Sequence, residues 1–151
     1  HLNEHKKQIV ARWRAPALEP MASLYRAVHG AEPAFTNNPM GTIDATTQVA
    51  ARAFLNKIFE KYDFSTAILF GSRARNEHHS ESDMDIAILL KGMPGDFVET
   101  KLDMDDLAYE VLLDTGIRIS PLPIWSEEWA HPENYSNPSL ITNIQREGIR
   151  L

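Results

Sequence analysis

The sequence contains no cysteine at all, so it can form no disulfide and no thiolate metal site; this fits a reducing compartment. It also lacks any apolar run of membrane-spanning length and any stretch resembling a signal peptide, and on both counts it reads as soluble and cytoplasmic, with no membrane partner. Positive charge is in short supply. Fifteen Lys and Arg face twenty-one Asp and Glu, a net charge of −6. Non-specific binding to long nucleic acid needs clustered cations to neutralise phosphates, so this balance disfavours it while leaving room for a local basic groove. Internal repeats and low-complexity tracts are absent too. What is present is ordinary globular material. A 43% hydrophobic share in 151 residues is enough to build a single substantial core.

The chain divides by composition near residue 41. Residues 1–41 hold four of the nine prolines (Pro16, Pro20, Pro33, Pro39), which interrupt any long apolar period. Short helices around 3–14 and 20–29 fit this N-terminal arm, because Ile9, Val10 and Trp13 are spaced along one helical face. Residues 42–151 form the domain proper. Thr42 or Asp44 can cap a helix whose apolar stripe runs through Ala50/Ala51, Phe54/Leu55, Ile58/Phe59 and Tyr62. Thr66–Phe70 reads as a buried strand stopped by Gly71, and Asp83–Leu90 as a second strand ending at a Gly- and Pro-rich turn. A helix over 96–115 directs Met104, Leu107, Ala108, Val111 and Leu112 inward, with Gly116 just past its end. A third strand at Ile117–Ser120 is confined to an edge or cut short by Pro121 and Pro123. A polar loop follows, and Asn137-Pro138 opens a last helix that stops at Gly148. The fold class is α/β (α+β): a small mixed sheet with helices packed on it, preceded by the N-terminal arm.

Two aspartates open the second strand. Side chains alternate across a strand, so Asp83 and Asp85 share a face and repel one another while Met84 points the other way. An unpaired carboxylate pair is costly to bury, and a hard cation such as Mg2+ relieves it, taking its remaining oxygens from water and substrate phosphates. Gly71-Ser72, at the end of the first strand, supplies the complementary half. The glycine lets backbone approach a ligand closely, the following amides and the Ser72 hydroxyl can donate to phosphate, and Arg73 and Arg75 add positive charge. Each element alone is commonplace: Asp-x-Asp is often a solvated turn, Gly-Ser an ordinary turn, Arg-x-Arg a solvated face. Antiparallel neighbouring strands would bring them together, and that conjunction reads as phosphoryl or nucleotidyl transfer.

Gly71-Ser72, ten intervening residues (Arg73 to Ser82) and Asp83-x-Asp85, all between two apolar strands, resembles the signature of the DNA polymerase beta-like nucleotidyltransferase superfamily. More narrowly, Gly-Ser-Arg-Ala-Arg followed by Ser-Asp-Met-Asp-Ile is similar to the minimal nucleotidyltransferases, often antitoxin partners of HEPN-domain toxins. The resemblance covers roughly residues 44–125 and implies the nucleotidyltransferase fold. It implies that Asp83 and Asp85 are catalytic and bind Mg2+. Gly71 and Ser72 would hold the terminal phosphates of ATP or another nucleoside triphosphate, and Arg75 and Arg73 would neutralise them. It also implies a HEPN toxin as partner and acceptor, and an antitoxin role. Two other readings follow from the residues: a catalytically weak, nucleotide-binding antitoxin that neutralises its partner by docking, and a transferase acting on tRNA ends, which the charge disfavours.

The chain departs from the family at one place. Catalytic members usually carry a third carboxylate on the next strand, facing the first two; here Ser120 or Arg118 stands there. Glu110, Asp114 and Glu127 are the nearby carboxylates in sequence that could substitute as a base. Asn76 also replaces the glycine that often closes the Gly-Ser-Arg-Ala-Arg-Gly form. His78-His79 reads as a solvated loop, and Asp103, Asp105 and Asp106 as a solvated helix face opposite Met104 and Leu107. Trp125, Trp129, His131 and Tyr135 either cover the sheet edge or form a partner patch.

Overall fold

The computed structural model describes residues 43–151; the expected N-terminal arm, residues 1–41, lies outside the described residues. Helix α1 spans Ala45–Lys61. Asp44 caps it, its Oδ1 accepting the Thr47 amide at 2.7 Å, which satisfies one of the amides that a helix start leaves unpaired. Its buried stripe is Thr47, Ala50, Ala51, Phe54, Leu55, Ile58 and Phe59. Strands β1 (Phe64–Phe70) and β2 (Met84–Leu90) follow. Helix α2 runs Phe97–Thr115 under an Asp96 cap and ends at Gly116, which adopts a left-handed φ of 78° and donates its amide to the Leu112 carbonyl at 2.8 Å. Helix α4 (Pro138–Glu147) starts at an Asn137 cap and stops at Gly148, where the sequence sets it.

The third strand takes the edge position that its prolines allow but runs further than the sequence reading sets it. β3 spans Ile119–Trp125, with Pro121 and Pro123 inside it rather than beyond it. The reason is its place in the sheet, whose order is β3-β2-β1-β4. β3 is an edge strand. Pro121 and Pro123 share one parity, so the amides they lack belong to the outward side, where no ladder partner is lost. The segment expected as a loop holds a short helix α3 (Ser126–Ala130) and a 3-10 turn (Pro132–Asn134), and a two-residue strand β4 (Ile149–Arg150) closes the opposite edge.

Strand parity explains how both sheet faces are filled. β1 and β2 are antiparallel, with Phe70 opposite Asp85 and Ile68 opposite Ala87; β2 and β3 are parallel, with Asp85 opposite Ser120. Met84, Ile86, Ile88 and Leu90 face α1 and α2 and join a core with Phe54, Ile58, Phe64 and Met104. Ala87, Leu89, Ile68 and Ile124 face the other way and pack on Ile141 and Ile144 of α4. β2, buried on both faces, therefore reads as a continuous apolar run. Trp125 belongs to the first core, while Trp129 and Tyr135 pack partly buried against the second, so covering the sheet edge accounts for these aromatics. No described helix is long and apolar enough to cross a membrane.

Candidate active site

The site forms where β1 ends and β2 begins. Register puts Phe70 opposite Asp85, so the next residue, Gly71, turns directly beside the Asp85 carboxylate. Gly71 holds a left-handed φ of 78°. A Cβ built there would collide with Asp85 Oδ2 and stand 3.4 Å from its Cγ. Only glycine combines that backbone angle with that approach. The chain then winds into a tight turn: the amides of Ala74 and Arg75 reach the Gly71 carbonyl at 3.1 and 3.2 Å, and that of Glu77 reaches the Ser72 carbonyl at 2.9 Å. Asn76 closes the turn at a φ of 57°. That explains the departure from glycine at this position, because Asn is among the few residues that tolerate this region. Among the described residues the Ser72 hydroxyl has no hydrogen-bond partner, and it is half-buried at the start of the turn.

The two arginines diverge, and here the sequence expectation for Arg73 needs correction. Arg73 is buried, at 3% exposure. Its guanidinium donates to the Thr47 hydroxyl at 2.8 Å and to the Ser82 carbonyl at 2.9 and 3.1 Å, with a longer bond to the Ser80 carbonyl at 3.4 Å. It ties the loop to α1 instead of facing a phosphate. The cause is the turn itself: 73 and 74 point into the protein, and Ala74 is buried alongside. Arg75 points outward. It pairs with Glu77 at 3.0 Å and Glu147 at 3.7 Å, and its charge reaches Asp85. His78 is likewise drawn inward, its Nε2 meeting Asp44 Oδ2, so it is part of the α1 cap and not a solvated loop residue. Burial alone would raise the Asp44 pKa; bonds from Thr47 and His78 outweigh it and hold the carboxyl below its ordinary value.

Asp83 is exposed just ahead of β2 and Asp85 is half-buried within it. Burial pushes the Asp85 pKa up, the Asp83 charge pushes it further, and the opposing charges of Arg75 and Lys101 do not restore it. Asp83 and Asp85 thus stand close enough to repel, with Arg118 4.0 Å from Asp83 and the net shift at Asp85 still upward. Two hard oxygen donors in that state fit a divalent cation such as Mg2+, with a bare backbone alongside for a phosphate. Among the described residues no third His, Cys, Asp or Glu joins them in a cluster able to hold a metal ion.

On the β3 side, Ser120 is register-paired with Asp85, and that strand carries no carboxylate. Arg118 lies 4.0 Å from Asp83. Beside them opens a cavity of about 380 Å3 whose polar wall is Asp83, Lys101, Asp105, Arg118 and Ser120, with Ala108, Tyr109, Leu112 and Ile119 completing it. Glu110, Asp114 and Glu127 do not line this cavity; Glu110 instead pairs with Lys57 across the α1–α2 contact at 3.3 Å.

Lys101 and Asp105 are the site-lining residues that sequence reasoning missed. Successive helical residues are 100° apart, so Asp105 stands about 200° round the helix from Asp103 and does not share its face. Asp103 takes the Tyr62 hydroxyl and Lys61, fastening α1 to α2. Asp105 instead lies on the flank it shares with Lys101, Ala108 and Leu112, toward the cavity. The i, i+4 Lys101–Asp105 spacing was the available signal.

Sequence comparison agrees with this geometry. Residues 54–122, from within α1 into β3, match the family described as "Polymerase beta, Nucleotidyltransferase". A 71-residue segment is 34% identical to the "Putative protein adenylyltransferase" of Methanocaldococcus jannaschii, covering 46% of this chain. The aligned segment spans about half (48%) of that protein's length. Both likenesses support the nucleotidyltransferase superfamily, and the family match contains the Gly71-Ser72 turn, both aspartates and α2.

Proposed function

We propose that the chain is a Mg2+-dependent nucleotidyltransferase that moves AMP from ATP onto a hydroxyl of a partner protein, a HEPN-domain toxin, and thereby acts as an antitoxin. The observation that carries this reading is the approach of Gly71 to the Asp85 carboxylate, with Asp83 beside it and an open turn starting at Ser72. The name of the archaeal relative motivates AMP as the group and a protein as acceptor. HEPN partnership rests on the Gly-Ser-Arg-Ala-Arg and Ser-Asp-Met-Asp-Ile resemblance.

Asp83 and Asp85 would hold Mg2+, which when bound supplies positive charge to the triphosphate and a template for its oxygens. Gly71 and the Ser72 amide and hydroxyl bind the β- and γ-phosphates, and Arg75 neutralises them. The acceptor oxygen bonds to the α-phosphorus as the bond to the pyrophosphate oxygen breaks. Pyrophosphate leaves with that electron pair, and the hydroxyl proton passes to a base.

A second reading, neutralisation by docking with weak catalysis, is favoured by Ser120 standing opposite Asp85 in place of a carboxylate. One experiment separates the two. The protein is incubated with Mg2+, α-labelled ATP and the product of the neighbouring open reading frame, alongside Asp83→Asn and Asp85→Asn. The enzyme reading expects label on the partner with wild type alone. Equal neutralisation of the partner by wild type and both variants would sink it in favour of docking.

A further inference from the structure

We propose that residues 6–14 of this chain dock on an apolar stripe that helix α2 turns to solvent, a contact independent of nucleotidyl transfer.

α2 is apolar on two sides. Met104, Ala108 and Val111 are buried against the core. Val98, Leu102, Tyr109 and Leu113 are 59–68% exposed, and among the described residues they make up four of the seven large apolar side chains left in solvent. At 100° per residue these four fall within about 60° of arc, so they form one continuous stripe. A helix with apolar residues on opposite sides is ordinarily covered on both, and an exposed apolar patch marks an interaction surface.

Charge selects the occupant. α2 carries six acidic side chains and one lysine. Asp105 borders the stripe on one flank, and Asp106, Glu99 and Glu110 lie on the other. A second copy docked through the same face would set these carboxylates against one another, which disfavours self-association here. The cover has to be apolar along one line and basic beside it. Residues 6–14, Lys-Lys-Gln-Ile-Val-Ala-Arg-Trp-Arg, have that character. Ile9, Val10 and Trp13 are spaced along one helical face, and four of the nine residues are Lys or Arg with no acid among them. No nine-residue stretch of residues 42–151 holds more than two basic side chains. An aromatic anchor beside aliphatic ones is the usual equipment of a segment that lies along an apolar helix face.

The connection is long enough. Pairing of Lys57 with Glu110 and of Lys61 with Asp103 runs α1 antiparallel to α2, so α1 starts toward the Gly116 end. Residues 15–42 separate the segment from Ile43. Fully extended they would span about 90 Å, against roughly 28 Å for the whole of α2.

The chain has no native cysteine, so one label can be placed in the full-length protein. A nitroxide on Ala11→Cys should broaden the methyl signals of Val98, Leu102 and Leu113 and spare those of Leu140 and Ile141 on α4. The broadening should fade as salt rises and vanish when Lys6, Lys7, Arg12 and Arg14 are all changed to Glu. Nitroxide-labelled protein without isotope, mixed with isotope-labelled protein without nitroxide, should show none. Trypsin supplies a second readout. Leu102→Gln/Leu113→Gln alters only exposed positions and leaves the fold intact. It should be cut after Lys7, Arg12 and Arg14 at least about tenfold faster than wild type, because cleavage follows the population of the open form. Unbroadened methyls in wild type, or equal cleavage rates, overturn the inference and leave the stripe to a partner protein. Broadening in the mixture overturns it in favour of a segment exchanged between two copies.

Discussion

Asp85 and Gly71 are mutually dependent. The carboxylate occupies the space that a side chain at 71 would need, and a left-handed φ of 78° is strained for any residue but glycine. Gly71→Ala is expected to destabilise the fold by about 1–3 kcal/mol and to weaken MgATP binding, read by denaturant unfolding and calorimetric titration. The sign of the Asp85 shift gives a second expectation. Folding raises its pKa above the ordinary 3.8, so the neutral carboxyl favours the folded state. That contribution is full below 3.8 and is lost as pH rises through the higher folded value. In chelator at neutral pH, Asp85→Asn should therefore melt above wild type, with the difference shrinking as pH falls toward the carboxylate range. Added Mg2+ should stabilise wild type and not the variant. An Asp85→Asn protein that melts lower than metal-free wild type would show that the carboxylate is not a destabilised ligand.

The Gly71–Glu77 turn and helix α2 carry most of what the sequence leaves implicit at the level of elements. Arg73 and Arg75 are indistinguishable as a motif, yet a tight turn reverses direction within two residues, so one guanidinium is buried and the other is offered to solvent. Arg73→Leu should remove bonds to Thr47 and to the Ser80 and Ser82 carbonyls, leaving buried acceptors unpaired at a cost of about 2–4 kcal/mol. Arg75→Ala should change stability by no more than about 0.5 kcal/mol. It should nonetheless lower MgATP affinity roughly tenfold or more, the scale of one charge-assisted contact. Equal effects of both substitutions on stability would contradict this division. Asn76 was legible once its φ is known, because the position asks for a left-handed residue and not for glycine as such. On α2 the three aspartates look like one acidic run, and only the 100° step separates Asp103, tied to α1, from Asp105, turned to the cavity.

At the scale of the molecule, the caps at Asp44 and Asn137 and the stop at Gly116 were readable because they are local chemistry. So were the two central strands, whose apolar runs need no knowledge of their neighbours. β3 was legible in part: Pro121 and Pro123 marked it as an edge strand or a short one, and the edge alternative holds, while its extent to Trp125 was missed. β4 was not legible, because a two-residue strand has no periodicity to read and is recognised only by its pairing with Ile68 and Leu69. The same sheet order sets the arrangement of the candidate site, with the Gly71-Ser72 turn at the end of β1, the two aspartates at the start of β2 and the cavity on the β3 side. It depends on a core in which Phe54 is fully buried between α1 and the sheet, so that Phe54→Ala should cost about 3–5 kcal/mol in unfolding free energy. The most direct test of the account is calorimetric titration of a non-hydrolysable ATP analogue, with Mg2+ and with chelator, into wild type and Asp83→Asn. Binding that requires Mg2+ and is lost in Asp83→Asn is the predicted result; binding of equal strength in chelator, or in the variant, would contradict it.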